Sequence, residues 1–247
     1  ILKNMNNSDY LKKMSIVSFA SFIEILGGQP LDRIKINYQL PINKRLTFTQ
    51  LIKKGPLEFY KGTFISSFHG CFIYIPSIYL LDDVYDNKLS TDSNIDNLTK
   101  PLFISLFLTP QVSLFEFIKT QKQLNKKIYN FNSKTLMPSL TATYLRESFY
   151  GGGICVLTPY FLKKTDNSFA SGCISGAITQ FISQPFDSIK THQEYKKENF
   201  INSTISIYKD KGIKGFYNVF TPRFTRGIWT FGSLSFITNK LNEIFIT

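Results

Sequence analysis

The chain has 247 residues, a formal net charge of +12, 24 Phe and 13 Tyr. Its hydrophobic share of 43% is ordinary, so bulk composition alone does not identify a membrane protein. The 3 Cys lie far apart without CxxC spacing and the 2 His are scattered, which argues against a disulfide framework and a metal site. The basic balance instead indicates an anionic partner, such as nucleic acid, an anionic membrane surface or an anionic substrate.

Six stretches of the chain are long and apolar enough to cross a bilayer as helices, which takes about 20 residues each. Several of them carry Ser, Gly, Thr, His or Arg in mid-span, and such groups must face a protein-lined or watery interior. The sequence therefore predicts an all-α membrane protein whose six helices surround a central cavity. The stretches lie near 13–36, 63–85, 99–121, 140–163, 168–191 and 222–245.

A six-residue pattern recurs at the end of three of these stretches. Residues 30–35 read Pro-Leu-Asp-Arg-Ile-Lys, residues 185–190 read Pro-Phe-Asp-Ser-Ile-Lys, and residues 114–119 keep the acid and the base but lack the proline. Repetition on this scale indicates one unit written three times. We therefore predict three pseudo-symmetric two-helix repeats, of which the middle one is degenerate: 1–95, 96–165 and 166–247.

The connections between the stretches alternate in charge. The long segments that follow each copy of the pattern are rich in lysine, whereas 86–98 is acidic. Because basic loops tend to share one compartment, we expect the three long loops on one side and both termini on the other. Amphipathic patterns at 47–54 and 200–210 predict short helices that lie flat at the membrane interface, with an ordinary surface helix as the alternative.

Repeats of this kind resemble the mitochondrial carrier family of inner-membrane transporters. Each repeat of that family has a helix ending in Pro-x-Asp/Glu-x-x-Lys, a loop with an interfacial helix and a glycine-rich turn, and a second helix. The resemblance covers nearly the whole chain, and Gly172 and Gly176 form a Gly-x-x-x-Gly element ahead of the third pattern. The middle repeat departs from the family because it lacks the glycine-rich turn as well as the proline. The resemblance implies a multi-pass protein of the mitochondrial inner membrane.

The resemblance also implies a gate at the matrix side. A proline within a helix, as at Pro30 and Pro185, removes a backbone hydrogen bond and kinks the helix, so such helices converge at one mouth. An acid and a base three residues apart lie on one helix face and can reach neighbouring helices. An unrelated set of helix-end charges is the alternative. The family pairs the six charges as Asp32 with Lys119, Glu116 with Lys190, and Asp187 with Lys35.

Two glutamines stand four residues after gate lysines, where family glutamines brace an ion pair: Gln39 and Gln123. A solvated polar side chain is the alternative, and Glu194 holds the equivalent place in the third repeat. At the opposite mouth only Asp82 keeps the charge of the family's outer motif. We therefore predict a weak outer gate and a protein that rests with its matrix side shut.

The family's substrate-contact positions map onto His69, Arg146 and Arg226. An Arg followed by an acid, as in Arg146-Glu147, resembles carriers of amino acids and amino-acid-derived compounds. Glu147 can hold an ammonium or sulfonium group, while the two arginines can fork onto a carboxylate. Alternatively, Arg146 and Glu147 pair with neighbouring helices and touch no ligand, and His69 is a neutral histidine satisfied within the bundle.

These features predict a carrier that moves a small charged metabolite by alternating access, most simply an amino acid or a derivative such as S-adenosylmethionine. The alternatives are a nucleotide carrier, a degenerate carrier-fold protein with a structural or regulatory role, and a basic protein that binds nucleic acid. The last is disfavoured because the aromatic residues lie within the apolar stretches. We see no nucleophile–base pair or phosphate loop, and so predict neither an enzyme nor a cofactor. We expect a monomer with cardiolipin at its matrix-side helix ends and no nucleic-acid partner.

Overall fold

The regular structure of the chain is helical. The computed structural model describes residues 7–39, 46–89, 96–123, 137–196, 198–218 and 220–245. Within these ranges every regular element is a helix and none is a β-strand, which confirms the predicted all-α class.

Within the described ranges, six α-helices are long and two are short. The shortest of the long ones, with 26 residues, rises about 39 Å, more than the roughly 30 Å of a hydrocarbon core. The long helices are α1 (Asn7–Gln39), α3 (Thr63–Phe68, His69–Tyr74 and Ile75–Lys88), α4 (Asp96–Gln123), α5 (Leu140–Gly152, Gly153–Leu157 and Thr158–Thr165), α6 (Ser168–Lys196) and α8 (Phe220–Phe245). The short helices are α2 (Phe48–Lys53) and α7 (Phe200–Lys211).

The long helices form a closed ring. Each packs against the next along the chain, and α8 returns to pack against α1. Each of the three predicted repeats encloses two long helices, although the division into repeats and the central cavity stay predictions. The predicted six-helix fold is confirmed.

Polar and apolar side chains are distributed as a bilayer requires. One buried face of α6 carries a hydroxyl at every fourth residue: Ser171, Ser175, Thr179 and Ser183. Large apolar side chains of the same helix face outward: Phe169, Ile174, Phe181 and Ile182. A polar inner face and an apolar outer face invert the pattern of a soluble protein and suit a helix bundle that meets lipid.

Three segments among the described residues have both the length and the hydropathy of membrane spans: Leu11–Asn37, Thr63–Asp86 and Thr99–Gln123. The helices α5, α6 and α8 are long enough to cross but carry more polar residues. The hydroxyl-bearing face of α6 is one reason, since these groups lower the hydropathy of the helix while facing the protein interior.

Glycines let α6 and α8 approach closely. A Cβ added at Gly172 would lie 2.8 Å from the carbonyl carbon of Phe231, and one at Gly176 would lie 2.9 Å from the carbonyl oxygen of Gly227. Such backbone contact between helices is typical of small-xxx-small packing in membranes.

Prolines interrupt several of the long helices. Pro30 and Pro185 lie inside α1 and α6, while α4 contains Pro101 and Pro110. The middle repeat therefore lacks the proline of the pattern but has one four residues before Leu114. Helices α3 and α5 each contain a π-helical stretch that runs into a proline, at Pro76 and at Pro159. A widened turn accommodates the backbone hydrogen bond that a proline cannot make.

The two short helices coincide with the predicted amphipathic patterns, although α7 ends one residue later, at Lys211. Thr47 caps α2 through a reciprocal pair of hydrogen bonds with Gln50, of 3.3 and 2.8 Å. Gly62 has a φ of 85°, which favours glycine, and it leads directly into α3. The basic residues 44–45 and the lysines at 126, 127 and 134 lie outside the described part. The placement of α2 and α7 at a membrane interface stays a prediction.

Candidate functional site

Three ion pairs join the inner helices α1, α4 and α6 in a ring. Lys119 of α4 lies 2.5 Å from Asp32 of α1, and Lys35 of α1 lies 3.5 Å from Asp187 of α6. Lys190 of α6 contacts Glu116 of α4. The structure thus brings the six side chains together in the pairing that the family resemblance implied, while their role as a gate stays a prediction.

The ring is largely removed from solvent. Asp187 and Lys190 are only 4% and 5% exposed, although the Glu116 side chain keeps 39% of its surface. A buried ion pair adds little net stability, but removing one partner leaves an uncompensated charge and costs about 3–5 kcal/mol. The closed arrangement is therefore held mainly by the cost of separating its charges.

Arg146 of α5 bridges two members of this ring. Its guanidinium lies 2.9 Å from Glu116 and 3.2 Å from Asp187, and 2.7 Å from the adjacent Glu147. Glu147 also accepts a hydrogen bond of 3.2 Å from Tyr74 of α3. Both residues therefore pair with neighbouring helices, as the alternative interpretation expects, and a contact with ligand stays a prediction.

Arg226 of α8 also contacts the ion-pair ring, at Asp32. Its Nε lies 3.0 Å from Oδ1 of Asp32, and its Nη1 contacts Glu24, higher on α1. The indole nitrogen of Trp229 donates a 3.1 Å hydrogen bond to the backbone oxygen of Glu24. Sequence analysis did not single out Glu24, although a lone acid in the middle of an apolar stretch is a usable signal.

Arg223 is a further cation that the sequence analysis missed. It lies 3.1 Å from Asp187 and is 3% exposed. It also donates to the hydroxyl of Ser183 over 3.3 Å and to the side-chain oxygen of Gln184 over 3.4 Å. Asp187 therefore receives three cations, from α1, α5 and α8.

His69 is not brought into the charged network. Its ring stacks on Phe115 at a centroid distance of 4.5 Å, and Tyr74 lies 5.6 Å away. Its Nε2 is buried and bonds none of the described residues. His69 thus contacts Phe115, the residue before Glu116, but neither Arg146 nor Arg226.

The predicted glutamine braces are not formed where they can be described. Gln123 is fully buried beside Gly62, but neither of its amide atoms bonds another described residue. The side chains of Gln39 and Glu194 lie outside the described part of the structure.

A separate cluster ties α1 to the turn before α3. Glu58 lies 2.5 Å from both Arg33 and Lys61. Burial alone would raise the pKa of Glu58, but hydrogen bonds from Lys61 and Arg33 outweigh burial and leave the pKa below its ordinary value. The cluster fixes the connection that carries Gly62 to the start of α3.

At the far end of the bundle, Lys100 of α4 bridges Asp82 and Asp86 of α3, at 2.6 and 2.9 Å. The charge that the sequence analysis found at Asp82 therefore links two helices that are neighbours along the chain.

A closed ring of six long helices, polar inside and apolar outside, defines a polytopic α-helical membrane protein with a charged interior. The family model described as "Mitochondrial carrier protein" matches residues 163–247, which contain α6, α7 and α8. This match, together with the relatives below, supports the resemblance to the mitochondrial carrier family of inner-membrane proteins.

Curated relatives of the chain are transporters by name. It is 29% identical over 119 residues to the mitochondrial citrate transporter A of Aspergillus niger, covering 46% of this chain and 36% of the relative. It is 30% identical over 107 residues to the mitochondrial glycine transporter of Ovis aries, covering 37% and 35%. It is also 29% identical over 109 residues to the mitochondrial glycine transporter of Homo sapiens, and the match covers 37% of this chain and 34% of the relative. The chain spans about a third of the length of the curated relatives it matches.

Proposed function

We propose that the protein moves a small metabolite across the mitochondrial inner membrane by alternating access, and that the metabolite is an amino acid or an amino-acid-derived solute. The observation that carries the proposal is the direct contact between the ion-pair ring and both arginines at the mapped substrate positions. Arg146 holds Glu116 and Asp187, and Arg226 holds Asp32. A carboxylate that binds these arginines competes with the gate for the same donors.

This competition explains how substrate would open the gate. Without substrate, separating the ring leaves unpaired charges within a helix bundle, at about 2.5–3.5 kcal/mol each. A substrate carboxylate on Arg146 takes the place of Glu116 or Asp187, and one on Arg226 takes the place of Asp32. Each exchange replaces one ion pair by another, so the bound state opens at a lower cost than the empty state.

The charge balance of the network supports an amino acid over a tricarboxylate. Among the residues that the structure describes, six cations meet five carboxylates, so this part of the network carries one excess positive charge. A zwitterion or a monoanion keeps the site near neutrality, whereas citrate would bring about three negative charges into it. The cations are Lys35, Lys119, Arg146, Lys190, Arg223 and Arg226, and the carboxylates are Glu24, Asp32, Glu116, Glu147 and Asp187.

We further propose that the working unit is a monomer with cardiolipin bound at its matrix-side helix ends. The closed ring supports the first part, since α8 returns to α1 within one chain. The lysine-rich connections support the second, since basic segments attract anionic headgroups. Native mass spectrometry of the purified protein with and without added cardiolipin tests both.

Uptake by the reconstituted protein tests the function. Proteoliposomes preloaded with unlabelled solute are offered each of the twenty labelled amino acids, S-adenosylmethionine, citrate and ATP. We expect time-dependent accumulation of at least one amino acid or of S-adenosylmethionine, and none of citrate. The variant D187N serves as the gate-defective comparison and E243Q as the surface control.

Other outcomes assign other functions. Accumulation of ATP alone would identify a nucleotide carrier. A folded preparation that accumulates none of these solutes would contradict transport of this class and favour a degenerate carrier with a structural or regulatory role.

A further inference from the structure

Glu24 lies in the middle of α1, within the apolar stretch, and belongs to none of the three ring pairs. It is 5% exposed. Its Oε1 contacts Nη1 of Arg226, and Oε2 bonds none of the described residues. An acid buried this deep in a membrane helix is costly unless it is paired, and such acids commonly mark substrate paths.

The surface of α1 is shaped around Arg226. A Cβ added at Gly28 would lie 2.6 Å from Cζ of Arg226, and one at Gly27 would lie 3.0 Å from Cε2 of Trp229. Between Glu24 and Asp32 on α1, the guanidinium of Arg226 therefore occupies the space beside Gly28, and the ring of Trp229 occupies the space beside Gly27. One arginine therefore has two carboxylates on α1, one in the ring and one above it.

Glu147 and Glu24, the two acids that could bind a substrate ammonium group, differ in how many of their carboxylate oxygens already have a partner. Glu147 has both oxygens occupied, Oε1 by Arg146 and Oε2 by Tyr74. Glu24 has one oxygen on Arg226 and the other without a bond to any described residue. Glu24 is thus the acid with capacity for a further donor.

We propose that Glu24 is a specificity-determining residue of the substrate site, which accepts the ammonium group of a zwitterionic substrate while Arg226 takes the substrate carboxylate. This inference rests on the proposed function and refines it. The Glu24–Arg226 pair has the same two charges as a zwitterion, so substrate and protein exchange partners and every charge stays paired. A carboxylate without an ammonium group is repelled by Glu24, and an amine without a carboxylate is repelled by Arg226.

Thermal unfolding of the purified protein tests the role of Glu24. The twenty amino acids are screened first, and the best stabiliser is then compared with its deaminated acid and its decarboxylated amine. For the wild type and the E243Q control we expect the amino acid to stabilise most. For E24Q, which keeps a hydrogen-bond acceptor for Arg226 but loses the charge, we expect at least a tenfold higher Kd for the amino acid. The deaminated acid should bind E24Q at least as tightly as the amino acid does.

Several outcomes would overturn the inference. If E24Q lowers the melting temperature of the empty protein but keeps the wild-type order of the three ligands, Glu24 only joins α1 to α8. Should E24Q fail to fold, E24D keeps the charge but withdraws the carboxylate, and a wild-type Kd in E24D would contradict the role. Failure of the wild type to bind or accumulate any amino acid would instead contradict the proposed function itself.

Discussion

Asp187 is the most heavily contacted carboxylate of the described network. It receives Lys35 at 3.5 Å, Arg146 at 3.2 Å and Arg223 at 3.1 Å, from three different helices. Lys35 and Arg223 form no ion pair with another described carboxylate, whereas Arg146 also pairs with Glu116 and Glu147. The residue thus joins the ring to α5 and α8.

Neutralising this carboxylate should destabilise the bundle strongly. D187N leaves three buried cations facing an amide, and we expect a loss of about 3–5 kcal/mol in stability. Thermal unfolding of the detergent-solubilised protein measures it. E243Q removes the exposed pair with Lys240 and should change stability by less than about 0.5 kcal/mol. Equal melting temperatures for the two variants would contradict the role of Asp187.

Glu58 predicts a pH dependence of stability. Because hydrogen bonds from Lys61 and Arg33 hold its pKa below the ordinary value, folding is favoured by the ionised form. This stabilisation is present above the unfolded pKa, about 4.3, and is lost as the pH falls through the lower pKa of the folded state. We expect wild type to exceed E58Q in melting temperature near pH 7, with the difference shrinking below about pH 4. A difference that stays constant over this range would argue against the assignment.

The close contact between the helices α6 and α8 depends on glycines, which have no side chain to hold the two backbones apart. Gly176 lies against the carbonyl oxygen of Gly227, so a methyl group there must push the helices apart. We expect G176A to lose about 1–3 kcal/mol of stability. Gly152 in α5 has open space around its Cβ position, and G152A should be neutral or stabilising by up to about 1 kcal/mol. Similar changes in stability in both variants would contradict the role of packing at Gly176, because helix propensity favours alanine equally at both sites.

Hydropathy located all six long helices but not their ends. The stretch near 99–121 proved to be Asp96–Gln123, since polar turns continue a helix beyond the apolar part. The six ring residues could be predicted because three copies of one pattern carry them, and the family resemblance implied how they pair. The contacts of Glu24, Arg223 and Arg226 could not, because they join helices far apart in sequence and depend on the packing of α8 against α1 and α6.

Closure of the ring has a consequence for the whole molecule. Three ion pairs and two arginines join the helices at one end, whereas at the other end the ion pairs that the described residues form between helices are those of Lys100, which link the neighbours α3 and α4. Opening the first end requires several buried charges to separate. We therefore expect the empty protein to rest with the ring closed and the opposite end open.

Thiol labelling measures this resting state. Cys71, Cys155 and Cys173 are free thiols and are first replaced by serine. Single cysteines are then placed at Asn239 in α8 and at Gln193 in α6, with the exposed Asn167 as the control for reagent access. Gln193 is 1% exposed, so we expect N239C to react far faster than Q193C in the empty protein. A transported amino acid should reduce the difference between the two labelling rates, because it lets the ion-pair ring open. Slow labelling of N239C without ligand would contradict the prediction, because it would show that the end of the bundle near Asn239 is closed in the empty protein.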